Sequence, residues 1–295
     1  MEKMYHNLNN LIVYLILFLT ILSCSNEEII TEDVPSEELT EEQEEAPQIT
    51  TEVVEGEMGT ATYFDKSLVE DHYILVNDAM SNRVYLMDKN ADIVYEWPLG
   101  DRKIGNDVLL LEDGTLLASL QADNPEILFG GFGGKIQFIA KNGDILWDYT
   151  YSNNEHRTHH DVELLPNGNV LAIAWERMSK EDAIANGSQL DTDLFPESVL
   201  EIDPNTDQIV WEWHAKDHLI QDFDETKLNY GIVEENRQLI NLNYTNTDDG
   251  NIMHINGIGY DTLNDLIYLS VNFYSEVWVL DHSTTKEEAS RTFRR

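Results

Sequence analysis

From Tyr63 onward the chain is built of short apolar runs, rich in β-branched and aromatic residues, separated by polar turns. The pattern predicts strands rather than helices. It also repeats. In one form a strand ends near an acid, a polar turn follows, and an Asp-led strand closes on aromatics. Residues 84–88 lead into Asp92-Ile93-Val94-Tyr95-Glu96-Trp97, residues 136–139 into Asp144-Ile145-Leu146-Trp147-Asp148-Tyr149, and residues 199–203 into Asp207-Gln208-Ile209-Val210-Trp211-Glu212-Trp213. Each is a hairpin. A second form alternates with the first. Residues 107–118 match residues 161–172, with Asp113-Gly114 and Asn167-Gly168 supplying the positive-φ residues of tight turns. A looser copy spans 257–270. Two hairpins per repeat predict four-stranded antiparallel units of roughly 40–50 residues, the mark of a β-propeller. The expectation is an all-β chain with a partial unit from about His72, two full units and most of a fourth. Two stretches break the rhythm. Ser179-Lys180-Glu181-Asp182 reads as a capping box opening a short helix that stops at Gly187, and residues 218–250 read as a long insertion of mixed character.

The N-terminal residues follow a different pattern. Lys3 precedes an apolar run from Leu11 to Leu22, broken only by Tyr14 and Thr20. That is the size of a signal-peptide core and short for a bilayer span. Ile21-Leu22-Ser23-Cys24 resembles the lipobox of lipoproteins, although Leu22 is bulkier than usual there. Cleavage before Cys24 and its lipidation are expected, giving a membrane anchor worth about 0.8 kcal/mol per buried methylene of each acyl chain. Cys24 is the single cysteine of the sequence, so no disulfide framework is expected. Residues 27–57 hold no lysine or arginine and many acids, which predicts a disordered tether. The expected organisation is a signal over 1–23, a tether over 24–57 and a body over 58–295. The formal net charge of -38 argues against nucleic-acid binding. The expected location is the cell envelope, lipid-anchored to the outer membrane on its periplasmic or external side.

Chemistry enters late. No phosphate-binding loop or metal-ligand spacing appears, and Gly130-Gly131-Phe132-Gly133-Gly134 precedes no helix pattern. Histidine is the informative residue type. His159-His160-Asp161 opens one repeat, and His254-Ile255-Asn256 opens the next recognisable one. If both repeats present their first strands to a common axis, His160 and His254 converge there. Two residues apart on a strand, His254 and Asn256 would face the same side. Imidazole and amide donors on one axis suit an oxyanion.

At these residues the sequence resembles the aryl-sulfate sulfotransferase family. The resemblance rests on His159-His160-Asp161-Val162-Glu163-Leu164-Leu165-Pro166-Asn167-Gly168-Asn169, on Ala174-Trp175-Glu176, on Trp211-Glu212-Trp213-His214, on His254-Ile255-Asn256 and on Glu276-Val277-Trp278-Val279-Leu280-Asp281-His282. It runs from about Gly56 to Ala289. It implies a six-bladed propeller, of which about four blades are present, and transfer of a sulfuryl group from an aryl sulfate donor to a phenolic acceptor with no cofactor and no nucleotide donor. It implies a sulfohistidine intermediate. His160 and His254 carry over as catalytic residues and Asn256 as a substrate-binding residue. Asn272, in Ser270-Val271-Asn272, stands where the family usually has arginine, and is taken as a substrate-binding position. The histidine nucleophile of the family is expected beyond Arg295, so the resemblance predicts a truncated member with little or no transfer by this chain alone. The alternative is a non-catalytic surface propeller that binds a ligand or a protein partner.

Overall fold

The apolar runs form antiparallel sheets in the computed structural model, which describes residues 53–61 and 68–290. The expected signal, Cys24 and nearly all of the acidic stretch lie outside the described residues. Strands β1 (Val54–Gly56) and β2 (Gly59–Ala61) form a small hairpin across the expected boundary at residue 57. It docks on the turn at residues 88–92, where Glu57 N donates to Asp92 Oδ1 and Met58 N to Ala91 O. Sheet I is β3 (Ile74–Asp78), β4 (Arg83–Met87) and β5 (Ile93–Glu96). Sheet II is β6 (Ile104–Leu110), β7 (Leu116–Gln121), β8 (Gly134–Ile139) and β9 (Ile145–Thr150). Sheet III holds β10 (His156–Leu164), β11 (Val170–Glu176), β12 (Glu197–Asp203) and β13 (Gln208–His214), with helix α1 (Lys180–Ala185) between β11 and β12. In the insertion, β14 (Leu219–Ile220) pairs in parallel with β15 (Ile240–Asn241). Sheet IV is β16 (Ile255–Asp261), β17 (Leu266–Val271) and β18 (Glu276–Asp281), followed by helix α2 (Lys286–Ala289). Within each of these four sheets the strands pair in sequence order, so the chain is all-β and each sheet is a meander.

The predicted turns are present. Gly114 and Gly168 both have φ of 87°, and each closes its turn onto the leucine three residues earlier at 2.9 Å. The cap of α1 departs from expectation. Ser179 Oγ accepts from Asp182 N, but Asp182 is too short to return a bond to the backbone and instead accepts from the serine hydroxyl. The complete capping box is at α2, between Thr285 and Glu288.

Packing explains why the strands next to the first in sheets II and III are almost wholly apolar. Leu116, Ala118 and Leu120 of β7 face a core shared with sheet I, while Leu117 faces a core shared with sheet III. In β11, Val170, Ala172 and Ala174 face sheet II, while Leu171 and Ile173 face sheet IV and the insertion. Each strand is therefore covered on both faces, and each buried Leu or Ile contributes about 1.5–3 kcal/mol. The aromatic ends of the outer strands lock one sheet to the next. Trp97 Nε1 donates to Gly114 O at 3.1 Å, Trp147 Nε1 to Asp207 Oδ1 at 2.8 Å, and Trp211 Nε1 to Thr284 O at 2.9 Å. The first strand of sheet III, β10, lies between β6 and β16, the first strands of its neighbours.

Candidate functional site

A bulge in β10 presents His160, and His254 stands two residues ahead of a bulge in β16. The β10–β11 register breaks between His159 and Val162, leaving His160 and Asp161 out of the ladder. The β16–β17 register breaks between Ile255 and Gly257, leaving Asn256 out. A bulge re-aims side chains locally. His160 and His254 also have φ of 51° and 56°, a left-handed backbone that costs a non-glycine residue of order 1–3 kcal/mol. Strand alternation is therefore not what relates His254 to Asn256, because His254 precedes β16 and Asn256 is the bulge residue. Asn256 is exposed. Asn272 is also exposed, and its backbone N–H donates to His254 O at 3.2 Å, which places it beside that histidine.

The rings of His160 and His254 meet edge to face, centroids 4.9 Å apart. Buried Trp175 lies beneath both, and Phe273 stacks on His254 at 5.0 Å. On the other side Gly131 closes against His160 so tightly that a Cβ there would stand 2.1 Å from the imidazole Cε1. That close approach accounts for one glycine of the Gly130–134 stretch. Asn251 Nδ2 lies 2.7 Å from His254 Nδ1. An amide NH2 only donates, so Nδ1 accepts and the proton of His254 sits on Nε2. Both site imidazoles are neutral at pH 7. Burial, then the nearby His254 and Arg157, push His160 down to about 4. Burial likewise lowers His254. The pair is a set of neutral N–H donors above a buried indole, an arrangement whose chemistry suits an oxyanion.

Three further residues support the site and were not singled out in the sequence. Arg157 is 2% exposed, lies 4.8 Å over the Trp175 ring, and donates through Nη2 to Phe129 O and Gly131 O. It holds the glycine stretch against His160, and it is a guanidinium near the imidazoles although Asn272 is not. Glu197 is wholly buried, accepts from Ile255 N and so fixes the strand that follows His254. Asp161 Oδ2 accepts from Ile258 N at 2.8 Å and ties β10 to β16. Burial, then the charge of Asp161, push Asp107, at the matching place in β6, up to about 7. A polar residue in a strand reads as a surface position, and none of these partners is close in sequence, so only Asp161 had a signal, its place in the repeat. Among the described residues no three His, Cys, Asp or Glu side chains converge as metal ligands. A cavity of about 830 Å³ lies elsewhere, lined by Trp213, His218, Tyr244, Tyr274 and Trp278 and not by His160 or His254.

The model of the arylsulfotransferase (ASST) family matches residues 58–287, which takes in sheets I to IV and both site histidines. The chain belongs to the arylsulfotransferase family. No curated protein matches it. Among solved structures, Kuenenia stuttgartiensis hydrazine synthase is similar with a TM-score of 0.41 and 16% identity, over 74% of this chain and 53% of that one. The chain thus spans about half the length of that protein, and a likeness this distant assigns neither fold nor activity. For an arylsulfotransferase-family chain, the convergence of His160 and His254 gives the family resemblance a physical basis, because the residues that carried it in the sequence meet in space.

Proposed function

We propose that this protein transfers a sulfuryl group from an aryl sulfate to a phenol, holding the sulfate oxygens with the Nε2–H groups of His160 and His254. The observation that carries the reading is the 4.9 Å meeting of two neutral imidazoles from different sheets, one with its tautomer set by Asn251. Asn256 and Asn272, exposed beside them, add amide donors to the bound ester. The sulfohistidine step belongs to this proposal through the family resemblance and is assigned to neither His160 nor His254. In the same reading the four sheets are blades of a propeller, with β6, β10 and β16 lining its axis, and Cys24 tethers the body to a membrane.

The test is titration of the full chain with p-nitrophenyl sulfate by calorimetry. Binding that weakens at least tenfold in His254→Ala, with the fold intact by circular dichroism, supports the reading. Equal affinity in the variant sinks it. Release of p-nitrophenol with phenol as acceptor then reports transfer itself. The alternative, a non-catalytic surface domain that binds a ligand or protein partner, is favoured by the amide that Asn272 puts in place of a guanidinium. It predicts sulfate-independent ligand binding that His254→Ala leaves unchanged.

A further inference from the structure

Behind the site histidines runs a chain of polar contacts that ends in a carboxyl sealed from water. His160 Nδ1 lies 2.9 Å from His159 Nδ1, and His159 Nε2 lies 3.2 Å from Glu197 Oε1. Trp175 stacks on His159 at 3.7 Å and fixes the plane of its ring. His159 and Glu197 are 1% and 0% exposed. The far end of the chain is His160 Nε2, on the ring that meets His254 edge to face.

We propose that Glu197 and His159 form a proton relay behind His160, which stores the proton that a leaving phenolate takes up and that an attacking phenol gives back. The inference rests on the sulfuryl-transfer reading above. At rest the Glu197 O–H points to His159 Nε2, His159 Nδ1–H donates to His160 Nδ1, and His160 Nε2–H faces the ester oxygen. As the S–O bond of the aryl sulfate breaks, its electron pair stays on the phenolate oxygen, and an S–N bond forms to the histidine nitrogen of the sulfohistidine step, which is neither His160 nor His254. The phenolate takes the Nε2 proton of His160. His160 Nδ1 takes the proton of His159 Nδ1, and His159 Nε2 takes that of Glu197. Each proton moves along one hydrogen bond, both imidazoles remain neutral and exchange tautomers, and the negative charge ends on Glu197, where the Ile255 N–H meets it at 3.0 and 3.1 Å. An attacking phenol runs the sequence backwards. Glu197 and His159 never touch the ligand; they are positioning residues that act through His160.

The surroundings suit this role. Burial pushes Glu197 up to about 8, so the carboxyl is protonated at neutral pH yet ionises within reach of it. The groups that face it are His159 from β10, Trp175 from β11, the Ile255 N–H of β16 and Tyr274 between β17 and β18. His159 is held well below the usual imidazole range by burial, then by His160, Arg157 and His254, so it passes a proton without keeping a charge. The Glu197–His159 contact is close but not in line, so the relay requires the carboxyl to turn toward His159 Nε2.

Histidine side-chain ¹⁵N spectra of the full chain test the relay directly. The tautomers of His159 and His160 should switch together near pH 8, and Glu197→Gln should freeze both. Tautomers that never change between pH 6 and 10, or that still switch in Glu197→Gln, overturn the proposal. This arm decides the relay whether or not turnover is seen, and p-nitrophenyl sulfate binding by the same samples decides the sulfuryl-transfer reading separately. With turnover, Glu197→Gln should slow phenyl sulfate by about 10²-fold, the lower range for a lost acid–base group. It should slow p-nitrophenyl sulfate several-fold at most, because that leaving group needs no proton. An equal loss for both donors would mean that Glu197 only supports the fold.

Discussion

At the residue scale the site depends on which ring nitrogen carries the proton. Asn251 sets this for His254 by donating to Nδ1. Replacing the amide with a carboxylate reverses it, since the carboxylate only accepts, would take the bond from Nδ1–H, and would raise the imidazole pKa. Asn251→Asp should therefore bind p-nitrophenyl sulfate weakly at pH 8.5, where Nε2 has lost its proton, and at least tenfold better near pH 5.5, where the ring is charged. The wild-type chain should gain far less on acidification, because burial already lowers both site histidines, and its own loss of affinity should come only with the His160 tautomer switch near pH 8; calorimetry at pH 5.5, 7 and 8.5 checks this. His160 and His254 were legible in the sequence because each opens a repeat and histidine is rare at such places. Asn251, Arg157 and Glu197 were not. Their importance comes from contacts made across the bulges, and a bulge leaves no mark in a pattern of period two. The bulge also replaced the alternation that had linked His254 to Asn256.

At the scale of elements, the hairpins were the most readable part of the chain. Most of their turns carry glycine, Asp or Asn at the left-handed position, while Ala91 and Ser275 adopt it without that signal, and the inner strands β7 and β11 alternate between two cores. The joints between sheets were harder to see, because each joins residues far apart. His282 is one of these. It lies 2.9 Å from Glu201 of sheet III and 2.6 Å from Asp265 of its own sheet, with Asn167 and Asn169 also donating to Glu201. The Glu201 bond, chiefly, raises His282. Burial pushes Glu201 up, but His282 and the two asparagines outweigh it, and His282 lowers Asp265 as well. The signs follow. The stabilisation from His282 is present below about pH 6.5 and fades as pH rises through its raised folded-state value. That from the carboxylates is present above about pH 4 and fades as pH falls through their lowered values. The joint is strongest between about pH 4.5 and 6.5. His282→Gln should cost about 1.5–3 kcal/mol at pH 6, the range for bonds to charged groups, and clearly less at pH 9. Thermal melts at the two pH values measure the difference.

At the scale of the whole molecule, a sequence with 56 acidic and 18 basic residues carries a site proposed to take an anion. The field of the protein opposes that encounter, and salt screens it over about 10 Å at 0.1 M. The association rate of p-nitrophenyl sulfate should therefore rise about threefold or more between 10 mM and 300 mM NaCl, the reverse of a steered enzyme. Stopped-flow binding at the two salt concentrations checks the sign. Composition alone made this prediction available, as the repeats made the all-β class available, whereas the insertion over 218–250 gave no periodic signal and its β14–β15 pairing had to be seen. The tryptophans that reach from one sheet into the next have a thermodynamic consequence. Sheets whose cores and indole bonds join sequence neighbours behave as a row of linked cooperative units, in which each unit is held by those beside it. Opening then costs most in the interior of the row and least at a flank. Hydrogen exchange should show this as a gradient, with the amides of β7 and β11 the last to exchange and those of β3 and β18 among the first.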